Sequence, residues 1–264
     1  MKLIVCGGGT GGHIYPALAI ADYFKTKDES TEVLYIGGKN GIENKIVPNY
    51  GYRFETIDIK GFQRKISFEN MKRAFKSLLT MAKMRSIIKR EKPDLVIGTG
   101  GYVCGPVVYM AALMKVKTAI LEQNVFMGMT NKILAKKADF IFYGFEDSLK
   151  RYDYKNAKVS GNPIRMKDFS KPKDEAREQL HFDKDERIIL SVGGSGGFEN
   201  LNDAIFELAK YCREKAFRLI HVSGEYFFEQ VKTATKDLDY DKFELFPYTV
   251  GRSEERRVGK ECRS

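Results

Sequence analysis

The sequence is short of three things: cysteine, long apolar runs, and an acid where a nicotinamide cofactor would need one. Its four cysteines, Cys6, Cys104, Cys212 and Cys262, stand far apart, with no C-x-x-C pair and no histidine at zinc-ligand spacing. Reduced thiols of a cytosolic protein account for them. The apolar run that opens the chain is too short for the core of a signal peptide and stops at glycines. The longest apolar stretch, residues 103–114, is interrupted by Gly105 and Pro106 and falls short of the roughly 20 residues that cross a bilayer. A cytoplasmic protein is expected, whose membrane contact, if any, is peripheral.

What the chain has in quantity is glycine in loops. Met1-Lys2-Leu3-Ile4-Val5-Cys6 reads as a short buried strand, Gly7-Gly8-Gly9-Thr10-Gly11-Gly12-His13 as a loop, and residues 14–21 as a helix with Pro16 in its first turn. Such a loop lets backbone pass close to a ligand, while the free amides and positive end of the helix face an anion. Gly7, Gly9 and Gly12 also fit the dinucleotide spacing G-x-G-x-x-G. That pattern requires an acid roughly 20 residues on, at the end of the second strand. The strand at residues 32–36 ends instead in Gly37-Gly38-Lys39. The loop therefore suits a sugar nucleotide better than a nicotinamide, and His13 stands where a neutral imidazole could take a proton beside a phosphate.

At 264 residues, with 43% hydrophobic and 30% charged residues, the chain is long enough for one large or two ordinary soluble domains. Its net charge of +10 points to an anionic partner: nucleic acid, an anionic membrane or a phosphorylated substrate. Short β-rich runs alternate with helical periods. Strands are predicted at 53–59, 94–97, 117–121, 140–143 and 157–159, and a second glycine loop, Gly98-Thr99-Gly100-Gly101-Tyr102, follows the run at 94–97. This alternation predicts an α/β fold with a mainly parallel sheet whose ligands gather at the carboxyl ends of the strands.

Residues 63–90 form a basic segment in which Met71, Phe75, Leu78, Leu79 and Ala82 recur at helical spacing among nine Lys and Arg residues. Two readings stay open: a helix lying on an anionic membrane, or one packing its apolar stripe on the sheet. Gly161-Asn162-Pro163-Ile164-Arg165 punctuates the chain, and the domain junction is placed there, giving domains at 1–163 and 164–250. The second domain opens like the first: a strand at 186–192, a loop Gly193-Gly194-Ser195-Gly196-Gly197 and a helix from Leu201 to Arg213. Two Rossmann-like domains facing a cleft are expected, but after the loop only two further strands, at 217–222 and 243–246, can be read. The run from Arg252 to Ser264 lacks apolar periodicity and resembles the translation of a sequencing-adapter oligonucleotide. Residues 251–264 are expected to be a non-native tail. Without its five basic and three acidic residues the chain still carries +8.

Five motifs in register, Gly8-Gly9-Thr10-Gly11-Gly12-His13, Gly98-Thr99-Gly100-Gly101-Tyr102 with Gly105-Pro106, Glu122-Gln123-Asn124, Gly161-Asn162-Pro163-Ile164-Arg165 and Gly193-Gly194-Ser195, resemble the MurG family. The resemblance runs from Met1 to about Val250. It implies a GT-B fold with an incomplete second domain, and inverting transfer of N-acetylglucosamine from its UDP sugar to the muramyl-pentapeptide diphosphate carried on undecaprenol. It also implies a peripheral place on the cytoplasmic face of the membrane, contact with the anionic inner membrane surface, no cofactor, no active-site metal and no nucleic-acid partner. By the same resemblance His13 is the catalytic base and Thr10, Gly11 and Gly12 meet a diphosphate or the donor. Asn124 contacts the donor sugar, Arg165 and Ser195 lie near the donor's phosphates and nucleoside, Thr249 binds substrate, and Gly100, Gly101 and Tyr102 shape the acceptor side. Leu121 departs from the family's usual histidine. The family's sequence continues beyond Thr249, so this chain is expected to stop short of a complete donor site and to be inactive or nearly so. Two alternatives are another GT-B lipid glycosyltransferase and a non-catalytic half that binds a lipid diphosphate.

Overall fold

The computed structural model describes residues 1–59, 68–165, 172–194 and 196–247, and for 68–78 the backbone only. The chain divides at Arg165 into two compact units. In the first, seven parallel strands, β1 (Lys2–Cys6), β2 (Glu32–Gly38), β3 (Arg53–Ile57), β4 (Leu95–Gly98), β5 (Lys117–Glu122), β6 (Phe140–Tyr143) and β7 (Ala157–Val159), lie in the order β3-β2-β1-β4-β5-β6-β7. Among the described residues six α-helices connect them, α1 (Gly11–Lys27), α2 (Glu43–Ile46), α3 (Phe68–Glu91), α4 (Cys104–Leu113), α5 (Met129–Leu134) and α6 (Glu146–Arg151), with a 3-10 turn at Val47–Tyr50.

Strand β1 explains the layering. Leu3 and Val5 face one way, onto Ile14, Ala17, Leu18 and Ala21 of α1. Ile4 and Cys6 face the other, joining Met84, Ile87 and Ile88 of α3 and Cys104, Val107 and Val108 of α4. A strand covered on both faces reads as a continuous apolar run. At roughly 1.5–3 kcal/mol for each large side chain fully buried, these two cores fix the sheet and hence the ends of its strands.

Two local expectations change. Helix α1 starts at Gly11, not at residue 14, because the Thr10 carbonyl already accepts from the backbone of His13 at 3.1 Å and Ile14 at 3.2 Å. Pro16 then lies in the second turn, where its missing N–H deprives the Gly12 carbonyl of its helical partner. In α3 the buried stripe is Thr80, Met84, Ile87, Ile88 and Glu91, whereas Leu79 is 57% exposed and Ala82 is exposed. The carboxyl half of α3 therefore packs on the sheet through a stripe adjacent to the one read from the sequence. Met71, Phe75 and Leu78 lie where no side chains are described.

The second unit carries three parallel strands, β8 (Ile188–Val192), β9 (Arg218–Val222) and β10 (Phe243–Phe246), in the order β10-β9-β8, with α7 (Lys173–Gln179), α8 (Glu199–Glu214) and α9 (Phe228–Ala234). Its core gathers Ile205, Ala209 and Cys212 of α8, Leu219 and Val231. The order repeats the β3-β2-β1 half of the first sheet. The tail 251–264 lies outside the described residues.

Candidate functional site: the glycine loops at the strand switch

The order of the first sheet reverses between β1 and β4, and in open α/β sheets ligands settle in the crevice at such a switch. Both glycine loops of this unit leave the sheet there, and hydrogen bonds stitch them together. Thr99 donates its hydroxyl to the His13 carbonyl at 2.6 Å and its backbone N–H to the Cys6 carbonyl at 2.9 Å. The Gly8 N–H donates to the Gly100 carbonyl at 3.4 Å, and the buried Tyr35 hydroxyl donates to the Gly7 carbonyl at 2.8 Å. Beneath them lie the thiols of Cys6 and Cys104, both fully buried with their sulfurs 3.6 Å apart. Burial, and then the neighbouring thiol, push the Cys6 thiol well above its ordinary range.

His13 is half-buried in the first turn of α1. Its Nδ1 lies 3.0 Å from the Gly8 carbonyl oxygen and 3.3 Å from the Thr10 hydroxyl. A carbonyl only accepts, so Nδ1 carries the proton and neutral His13 keeps its lone pair on Nε2. A Cβ on Gly100 would stand 2.9 Å from that Nε2, and one on Gly101 would collide with the Gly8 carbonyl. Gly100 and Gly101, at φ of +108° and +82°, adopt backbone that only glycine takes readily. The loop therefore makes room for the imidazole and leaves its basic nitrogen uncovered by a side chain from Gly100. Thr10 makes no side-chain cap bond to α1, and both it and Gly12 are exposed while Gly11 is buried. The N–H groups of His13 and Ile14 are given to the Thr10 carbonyl, which leaves those of Gly11 and Gly12 without a partner inside the helix, so this end of α1 suits a phosphate.

Two buried glutamates organise the surroundings. Glu43, completely buried, accepts from the Gly38 N–H at 2.7 Å and the Gly9 N–H at 3.2 Å. The half-buried Tyr102 ring passes over Gly9 and Gly38, and burial followed by the charge of Glu43 raises its phenol above the ordinary range. Glu122, at the end of β5, accepts from the backbone of Asn124 (3.1 Å) and Gly128 (2.9 Å) and from the amides of Asn124 (3.2 Å) and Asn131 (3.0 Å). With its Nδ2 engaged, exposed Asn124 offers its Oδ1 to a ligand. Gln123 donates to the Thr99 carbonyl, tying this turn to the second glycine loop. Leu121 is buried in the sheet.

The first unit thus brings together Thr10, Gly11, Gly12, His13, Gly100, Gly101 and Tyr102, with Asn124 on the adjoining turn. Arg165 sits elsewhere: it pairs with Asp22 of α1, itself bonded to the Tyr52 hydroxyl, and its guanidinium lies 4.3 Å from the centre of the Tyr50 ring. Ser195 and Thr249 lie outside the described residues. Sequence reading missed Glu43, which looks like any surface glutamate in a short polar helix. Glu122 was visible in its motif but not as the clasp of the turn.

A doubly wound parallel sheet with glycine loops at its switch, followed by a second unit of the same start, defines a GT-B-like α/β fold. Residues 3–143 match the glycosyltransferase family 28 N-terminal domain. The chain is 41% identical over 253 residues to the UDP-N-acetylglucosamine--N-acetylmuramyl-(pentapeptide) pyrophosphoryl-undecaprenol N-acetylglucosamine transferase of Thermoanaerobacter sp. (strain X514), covering 94% of this chain and 69% of that one. It is 39% identical over 252 residues to the enzyme of the same name from Clostridioides difficile (strain 630), covering 94% and 62%. The crystal structure of Acinetobacter baumannii MurG superimposes with a TM-score of 0.64 at 26% identity, over 96% of this chain and 71% of that one. A UDP-GlcNAc 2-epimerase from Neisseria meningitidis (TM-score 0.62, 15% identity, 97% and 74% covered) shares the fold alone. The chain belongs to the MurG family of glycosyltransferases.

Proposed function

We propose that this chain takes part in transferring N-acetylglucosamine from UDP-N-acetylglucosamine to the muramyl-pentapeptide diphosphate carried on undecaprenol, with inversion at the sugar. The observation that carries this reading is His13, whose Nδ1–H is held by the Gly8 carbonyl so that Nε2 is the free base. Nε2 takes the proton of the acceptor hydroxyl as that oxygen attacks the anomeric carbon, and UDP departs with the electron pair of the broken bond. Thr10, Gly11 and Gly12 hold a diphosphate at the start of α1, and Gly100, Gly101 and Tyr102 form the acceptor side. Asn124 accepts from a hydroxyl of the sugar through Oδ1. Arg165, Ser195 and Thr249 belong to the donor side, for which Arg165 exchanges Asp22 for phosphate oxygens, as a guanidinium fork suits both. The exposed Leu79, with Arg85 and Lys89 exposed on the same helix, supports α3 as the face that meets an anionic membrane on its cytoplasmic side. Among the described residues no helix is long and apolar enough to span a bilayer.

The test is binding of the lipid-linked muramyl diphosphate to the chain, with transfer of labelled N-acetylglucosamine measured alongside. Transfer is followed in the chain itself and in a fusion to the remaining length of the Thermoanaerobacter relative. The acceptor is expected to bind, and His13→Ala to lower transfer by about 10²-fold or more while leaving acceptor binding within a few-fold. Absence of acceptor binding, or full transfer by His13→Ala, sinks the reading.

A further inference from the structure

The Gly8 carbonyl and the Gly9 N–H belong to one peptide unit. That unit is planar and trans, so the two groups point in opposite directions from one rigid plate. On one side the N–H donates to Glu43 Oε2 at 3.2 Å; on the other the carbonyl accepts from His13 Nδ1 at 3.0 Å. We propose that Glu43 is a positioning residue for His13, acting through the Gly8–Gly9 peptide as the carboxylate of a relayed carboxylate–histidine pair. The proposal rests on the reading of His13 as the base, and nothing in it requires Glu43 to touch substrate.

Three observations carry it. Glu43 is completely buried, and its other oxygen accepts from the Gly38 N–H at 2.7 Å, so the carboxylate is clamped between two backbone donors. Four glycines make room for it: a Cβ at Gly8, Gly37, Gly38 or Gly41 would press on the Glu43 side chain. The carbonyl it steers has a clear lane, because a Cβ on Gly101 would collide with the Gly8 oxygen. A peptide whose N–H is bonded to an anion is polarised towards a stronger carbonyl acceptor. That strengthens the bond to Nδ1–H, keeps the proton on Nδ1 and the lone pair on Nε2, and stabilises the imidazolium that forms when Nε2 takes a proton. A carboxylate bonded directly to Nδ1 would do the same work; here the peptide plate carries the effect while the charge stays buried.

The ring tautomer is read by nitrogen-15 NMR of the whole chain, which contains three histidines. His221 is an internal contrast. Its Nε2 faces Asn202 Oδ1 at 2.9 Å, and that amide's Nδ2 is committed to the Ser223 carbonyl, so His221 carries its proton on Nε2. At a pH where the rings are neutral, His13 is expected to show Nδ1–H and His221 Nε2–H. Glu43→Gln, which keeps the Gly8 carbonyl but removes the anion behind its peptide, should weaken the His13 Nδ1–H bond and move its proton resonance upfield, and leave His221 unchanged. The reverse link covers the case in which Glu43→Gln fails to fold: His13→Ala should shift the Gly9 amide more than the amides of Gly11 and Gly12. A folded Glu43→Gln whose His13 Nδ1–H proton resonance stays in place overturns the proposal, as does a Gly9 amide indifferent to His13→Ala. The tautomer is a property of the resting chain, so these results stand apart from the transfer assay. Full transfer by His13→Ala would remove the catalytic meaning while leaving the relay measurable.

Discussion

Gly101 sits at φ +82° with the Gly8 carbonyl directly in the path of any Cβ. Gly101→Ala therefore adds backbone strain to a collision with unyielding backbone, and a loss of about 1–3 kcal/mol in urea unfolding is expected. A change under 0.5 kcal/mol, the scale of an ordinary surface substitution, would mean the two loops are less tightly joined than their hydrogen bonds indicate. At this scale the sequence was informative where chemistry is local. The position of His13 was legible, since it follows a glycine loop at a helix start, as was that of Gly100 and Gly101 in a loop at the end of an apolar run. Glu43 was not: the partner that gives it meaning, Gly9, is 34 residues away, and only the pairing of β1 with β2 brings the two together. Arg165 was read for its fit to phosphate, but its engagement with Asp22, 143 positions distant, is a product of folding alone.

Among elements, the joint between β8, β9 and α8 is sensitive to pH. His221 on β9 is fully buried, 2.9 Å from the Ser191 hydroxyl of β8 and 2.9 Å from Asn202 of α8. Burial lowers its pKa from 6.5 to about 4. The unfolded chain binds a proton there below about 6.5 while the folded chain resists until about 4. The stability is therefore complete above 6.5 and is lost as pH falls through that window. The full difference corresponds to about 3 kcal/mol. Calorimetry between pH 7 and 4 should show the second unit melting progressively lower, with His221→Gln flattening the slope; a flat wild-type profile from 6.5 to 4.5 would refute it. Glu91, held low chiefly by its bond to Arg53, begins to lose its contribution only as pH falls below its ordinary value of 4.5, at the foot of this window. The existence and type of these strands were readable from short β-branched runs before glycine, whereas the His221 network joins three elements and has no local signature. The α3 stripe was displaced for a similar reason. Apolar spacing identifies a helical face, but Met84, Ile87 and Ile88 won the core because α4 and the sheet lie on their side.

For the whole molecule, a net charge of +10 acts together with the exposed face of α3. Binding to vesicles containing anionic lipid is expected to weaken several-fold between 50 and 300 mM salt, roughly as screening predicts, and Leu79→Glu should weaken it further without changing the melting temperature. Binding independent of both salt and Leu79 would count against α3 as the proposed membrane face. The alternation of strand and helix and the repeated strand-loop-helix start were enough to read two Rossmann-like units. The strand order, with its reversal between β1 and β4, was not written in any one segment, since it is decided by which faces α1 and α3 cover. One consequence follows for the first unit as a body. The touching thiols of Cys6 and Cys104 form its floor at zero exposure, so a maleimide can reach them only when the loops lift off the sheet. The rate at which the pair is alkylated is thus a stopwatch for that opening. Any compound that seats on the loops should slow its hand, which would let ligands be found without a turnover assay.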